Sequence, residues 1–133
     1  MSALIEEFKR EHSEIVAILN EAKELGILSK EGQVKLMSVK ASLLEHLWNE
    51  NERLYSVLWK EAEREKDLKE LLDLFAIGME GVSKIAQRFF DKFYEGTLDK
   101  NFQNEFEEFY AAINKRIKNE EEILYNEFEK IAQ

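Results

Sequence analysis

Apolar residues recur at intervals of three and four along the chain, in four runs separated by short breaks. In the first run Leu4, Phe8, His12, Ile15, Leu19 and Ala22 share one face of a helix over residues 2–25, with Ser2 as N-cap and Gly26 as terminator. The second predicts a helix over 30–64, capped by Ser29, with a stripe through Leu36, Val39, Leu43, His46, Glu50, Leu54 and Val57. Asp67 and Glu70 form a capping box that opens a third helix over 68–95. Its stripe is Leu68, Phe75, Met79, Val82, Ala86, Phe89 and Phe93, and Gly96 closes it. Thr97 or Asp99 caps a fourth helix over 100–131, with stripe Phe102, Phe106, Phe109, Ile113, Arg116 or Ile117, Glu120, Leu124 and Phe128. No stretch alternates with period two, so no sheet is expected. Four helices with short connections predict an all-α, antiparallel up-down-up-down four-helix bundle.

Three of these stripes carry residues that should not be there: His12, His46 with Glu50, and Glu120. His46 and Glu50 are four apart and so share one helix face, the face otherwise given to leucine and valine. Burying a carboxylate is costly unless it is paired or bound to a metal. A shift of 70 residues lays the second helix on the fourth: Glu50 falls on Glu120, Glu52 on Glu122, Leu54 on Leu124, Tyr55 on Tyr125, and His46 on Arg116. A shift of 67 lays the first helix more weakly on the third, with His12 on Met79. Two helix hairpins related by an approximate twofold axis account for both matches. They bring His12, His46 and Glu50 from one half, and Met79, Arg116 and Glu120 from the other, towards one layer.

Composition narrows the chemistry. The 133 residues suffice for one domain, 1–133, with a stable core. Without cysteine there is no disulfide, thiolate metal site or cysteine nucleophile. A net charge of −9 argues against a nucleic-acid partner. No apolar run is long enough to span a membrane, and the acidic start lacks the marks of a signal peptide, so the expected compartment is the cytoplasm. No Ser-His-Asp arrangement or phosphate loop is visible, so an enzymatic activity would have to run through a metal. Imidazole and carboxylate on inward bundle faces suit iron or manganese; zinc is less favoured because its structural sites prefer cysteine.

Three segments carry a resemblance to a family: Lys-Arg-Glu-His-Ser-Glu-Ile at 9–15, His-Leu-Trp-Asn-Glu-Asn-Glu-Arg-Leu-Tyr at 46–55, and Arg-Ile-Lys-Asn-Glu-Glu-Glu-Ile-Leu-Tyr at 116–125. Over nearly its whole length the chain resembles the hemerythrin-like HHE cation-binding domains. That resemblance implies a bundle holding non-haem iron, one or two ions, and a role in binding or sensing O2, NO, peroxide or iron itself. By position His12 and His46 match the family's histidines on the first two helices. Glu50 and Glu120 match its bridging carboxylates, with Glu121 the alternative to Glu120. Hemerythrins use five histidines, and this chain has two. The third helix offers Met79, Glu80 and Ser83 instead, so a two-metal site would need Glu80 as a ligand. Arg116 stands where the fourth helix should carry histidine. As a fixed cation it can pair with a carboxylate in place of a metal. A second expectation is therefore a metal-free interaction or regulatory module built on an Arg116–glutamate network. Tyr55 and Tyr125 are expected as packing residues at the bundle end, and Trp48 and Trp59 as partly buried.

Overall fold

The computed structural model describes residues 2–96 and 98–132. Among them the chain is helical with no strand, in four helical arms. The first is α1 (Ala3–Leu25). The second is α2 (Lys30–Glu50), a π-helical turn π1 (Asn51–Tyr55) and α3 (Ser56–Ala62). The third is α4 (Lys66–Glu95). The fourth is α5 (Lys100–Asn119), a second π turn π2 (Glu120–Leu124) and α6 (Tyr125–Ala132).

The ends follow from local chemistry. Ser2 accepts from the Ile5 amide at 3.2 Å, Ser29 from Gly32 at 3.0 Å, and Asp99 from Phe102 at 3.1 Å, each satisfying a free N-terminal donor. Asp99 is thus the cap; Thr97 lies outside the described residues. Gly96 closes α4 in the left-handed conformation, φ 75°. The Asp67 capping box is not used. The helix begins at Lys66, with Glu65 extended ahead of it and making no side-chain cap bond. Asp67 then sits in the first turn, where its charge favours the helix dipole without closing a ring.

Gly32 is fixed by space. A Cβ there would lie 2.0 Å from the Gly26 carbonyl oxygen. Gly32→Ala is expected to cost about 1–3 kcal/mol, because backbone must move. Gly81→Ala, where a Cβ meets nothing within 4 Å, should gain up to about 1 kcal/mol from helix propensity. Thermal unfolding of the two variants checks this contrast; equal effects would contradict it.

Neighbouring arms pack together, α1 on α2, α3 on α4 and α4 on α5. Pairs between the first two arms run in opposite sense along the chain: Lys35 with Glu21 at 2.7 Å, His46 with Glu11 at 2.5 Å, Arg53 with Glu7 at 2.8 Å. The buried side chains form two apolar clusters. One contains Ile15, Leu19, Leu36, Val39, Phe89, Phe102, Phe106 and Phe109. The other contains Ile5, Phe8, Leu54, Leu58, Leu72, Leu124 and Tyr125. His12, His46, Glu50 and Glu120, all buried, come between them in sequence on every arm that carries them. A polar layer therefore interrupts the core.

The two π turns start at this layer. In π1 the Ser56 amide donates five residues back to Asn51, and in π2 the Tyr125 amide donates to Glu120. Four-residue steps on an unbroken α-helix drift by roughly 40° each. The wider π turn absorbs that drift, so Leu54 and Leu58 stay inward in line with His46 and Glu50. The same turn rotates Val57, expected on the stripe, out to 41% exposure. Under the 70-residue shift the two π turns fall one residue apart, so the repeat seen in sequence extends to a backbone irregularity.

Candidate metal centre

His12 comes from α1, His46 and Glu50 from α2, and Glu120 from the first residue of π2. One donor atom from each lies within 4.8 Å of every other, which makes a cluster that can hold a metal ion. Donors around one ion at about 2.1 Å are at most roughly 4.2 Å apart, so small side-chain shifts close the shell. His12 Nε2 lies 3.4 Å from Glu120 Oε1, and His46 Nε2 lies 3.4 Å from Glu50 Oε1.

Both imidazoles are oriented from behind. His12 Nδ1 is 2.7 Å from Glu121 Oε2, and His46 Nδ1 is 2.5 Å from Glu11 Oε1. A carboxylate accepts, so each Nδ1 carries the proton and each Nε2 faces the cluster, the arrangement that commonly supports metal-bound histidine. Glu121 therefore stands behind a histidine, and Glu120 occupies the central position. Glu11 has the same role on the other side; in sequence it stands next to His12, and only the fold sets it against His46.

Each glutamate is held by a tyrosine of the opposite half. Tyr125 donates to Glu50 Oε2 at 2.5 Å and Tyr55 to Glu120 Oε2 at 3.0 Å. The Tyr125 oxygen is also 3.2 Å from His12 Nε2. The tyrosines are thus part of the polar layer and not bundle-end packing. The signal was present in the repeat, where Tyr55 and Tyr125 match five residues beyond Glu50 and Glu120. The π turns, which the matched spacing does not reveal, bring them back to the layer. Burial, with the Glu50 and Glu120 charges, pushes the Tyr125 phenol far above its ordinary range; burial and Glu120 do the same for Tyr55. Both remain protonated donors.

Arg116 turns inward, its side chain 11% exposed. Nη2 donates to the Tyr55 oxygen at 2.9 Å, Nη1 to the Phe75 carbonyl at 2.9 Å, and Nε lies 3.5 Å from Glu120 Oε2. A Cβ at Gly78 would come within 3.3 Å of Nη1, so that glycine makes room for a guanidinium. Glu80 does not reach the cluster. Its side chain is 70% exposed and lies 3.7 Å from Lys84, because it is turned about 100° from Met79 on α4. Met79 is partly buried beside the layer. Trp48, expected partly buried, is 64% exposed.

Besides Arg116 Nε, two buried atoms at the centre have no hydrogen-bond partner, His46 Nε2 and Glu50 Oε1. Unpaired polar atoms inside a protein are expensive, and a cation between them would satisfy both. Burial opposes the charged form of His46, but Glu50 and Glu11 outweigh it and push the imidazole up to about 9. Burial also raises Glu50, reinforced by Glu120 against the pull of His46 and Tyr125. The His46 shift means that the cluster tends to hold a proton at neutral pH. Comparison with protein-family models, curated proteins and solved structures found no match for this chain. No helix among the described residues is long and apolar enough to cross a membrane.

Proposed function

We propose that this chain is a hemerythrin-like, antiparallel up-down-up-down bundle that holds a single non-haem iron at His12, His46, Glu50 and Glu120, and that it binds or senses O2, NO, peroxide or iron itself. The observation that carries the reading is the pair of orphaned atoms, His46 Nε2 and Glu50 Oε1, facing each other in a buried layer. Two imidazoles and two carboxylates suit iron or manganese better than zinc. When bound, the ion would supply a redox-active Lewis acid to a small ligand. The chain's own groups do the rest. Glu11 and Glu121 fix the imidazoles, Tyr125 and Tyr55 hold the carboxylates, and apolar clusters pack on either side of the layer. The single ion follows from Arg116, whose guanidinium stands in the half that would have to supply a second set of ligands.

The same guanidinium favours a second reading, a metal-free regulatory bundle in which Arg116 neutralises Glu120. Metal content of protein purified from iron-supplemented cells separates the two. One ion per chain is the expected value; substoichiometric metal would favour the second reading, and two ions would displace Arg116 from its assigned role.

Proton release gives an independent check. His46 is held up to about 9, above its ordinary 6.5, and an ion needs the neutral ring. Between those values the folded protein carries a proton that must leave on binding. Iron uptake at neutral pH is therefore expected to release about one proton or more. Apparent affinity should rise roughly tenfold per pH unit up to about 9 and then level off. Calorimetric titrations in buffers of different ionisation enthalpy measure this; affinity that is flat with pH would contradict it.

A further inference from the structure

A cavity of about 390 Å³ opens between α2 and α4 and runs to the metal centre. Its walls are mostly apolar, formed by Ile15, Leu43, Leu47, Val82, Ala86 and Ile113, with Ser83 and Gln87 on the α4 side. Its inner end is the His/Glu layer, and its outer end is Lys40 with Phe90 and Tyr94. Lys40 and Glu50 are ten residues apart on one helix, so the cavity follows roughly 15 Å of α2. A diatomic gas needs a small fraction of this space, which lies within the range of organic ligand sites.

Lys40 supplies the second observation. The side chain is half-buried, its ammonium 4.5 Å above the Tyr94 ring and 5.6 Å from the Phe90 ring, donating to the Tyr94 hydroxyl at 3.2 Å. Among the described residues these partners are a phenol and two ring faces, none of them anionic. In a chain of net charge −9 such a cation at a cavity mouth is notable for having no carboxylate on it. Asp91 also lines the mouth, but it is exposed, where water screens it. At the inner end Glu50 and Glu120 already face the two imidazoles, and the Arg116 Nη atoms donate to Phe75 and Tyr55 with Nε 3.5 Å from Glu120.

We propose that this cavity binds a medium-chain aliphatic carboxylate, with its head on Lys40 and its tail lying along α2 towards the metal centre. The apolar walls gain from covering the chain, and the partly desolvated ammonium gains a charge-assisted bond. The site is built from residues outside the ligand cluster and does not depend on the metal reading.

Isothermal titration of the metal-free full chain with sodium octanoate tests it. Saturable binding of one octanoate is expected, with a negative heat-capacity change. Lys40→Met should weaken it by at least about tenfold, and Ala86→Trp, which fills the passage, should abolish it. Octylammonium should bind much more weakly than octanoate. As a measurement free of any variant, octanoate should shift the methyl resonances of Ile15, Leu47 and Val82 in the unaltered protein and leave those of Leu58 in place. Absent or non-saturable binding, unchanged affinity in Ala86→Trp with its helical content intact, equal binding of octylammonium, or shifts away from these methyls would each overturn the assignment. Because no metal is present, either outcome leaves the iron reading to its own test.

Discussion

Replacing Glu50 by glutamine is expected to end stoichiometric iron binding, with affinity falling by well over about a hundredfold, and to do so without unfolding the bundle. The substitution keeps the shape and one oxygen for Tyr125, whose hydroxyl donates to Glu50 Oε2, so packing and one hydrogen bond survive. It removes the charge opposite His46 Nε2, 3.4 Å away, from one of the four side chains that could hold an ion. Glu50 is pushed up by burial, so the metal-free protein should tolerate the neutral amide well. Graded controls sharpen the test. Glu11→Gln and Glu121→Gln disturb only the bonds behind the imidazoles, and each should cost about 10–100-fold in affinity. Glu80→Ala should change nothing, since that side chain points to solvent. Iron at a hundred times its dissociation constant stabilises the folded state by about 2.7 kcal/mol, which for a domain of this size is a rise in melting temperature of roughly 10 °C. That rise should vanish in Glu50→Gln and persist in Glu80→Ala. An equal rise in both would remove Glu50 from the ligand set.

The largest loss of stability is expected from Phe89→Ala. Phe89 is fully buried on α4, with ring centroids 5.0 Å from Phe102, 5.0 Å from Phe109 and 5.1 Å from Phe90. It joins the third arm to the fourth by stacking on Phe102 and Phe109, beside the Phe90–Phe109 and Phe93–Phe102 contacts. Truncation removes the transfer energy of a ring, the offset contacts, and leaves a void in a close-packed cluster, about 3–5 kcal/mol in all. Against a total of about 5–15 kcal/mol that loss is severe. Denaturant unfolding should show a lower midpoint at unchanged slope. Phe89→Leu, which fills most of the space, should cost clearly less. A loss below about 1 kcal/mol for the alanine variant would show that the cluster collapses around the gap.

The helical arms were legible because a 3.6-residue period in apolar residues admits few other structures, and because serine and aspartate caps act through their immediate neighbours. His46 and Glu50 were legible as anomalies, polar residues on a face whose burial was already certain. Other readings failed for physical reasons that lie outside any single helix. Val57 was placed inward by an α-helical count, and the π turn before it changed the count. Tyr55 and Tyr125 were matched by the repeat but assigned to packing, since their hydroxyls meet Glu120 and Glu50 only across the bundle. Glu80 was offered as a ligand by sequence position and is excluded by helix angle.

Four amphipathic helices, the absence of cysteine chemistry, and two histidines and two glutamates on inward faces can be read from the residues alone. These depend on composition and on periodicity, which are local. The convergence of His12, His46, Glu50 and Glu120, the places of Glu11 and Glu121 behind the imidazoles, and the fit of Arg116 beside Gly78 come from packing between the arms. Those relations join residues up to 109 positions apart. They arise from how the arms pack and from two π turns that reset the phase, and the spacing of residues along one helix does not encode them.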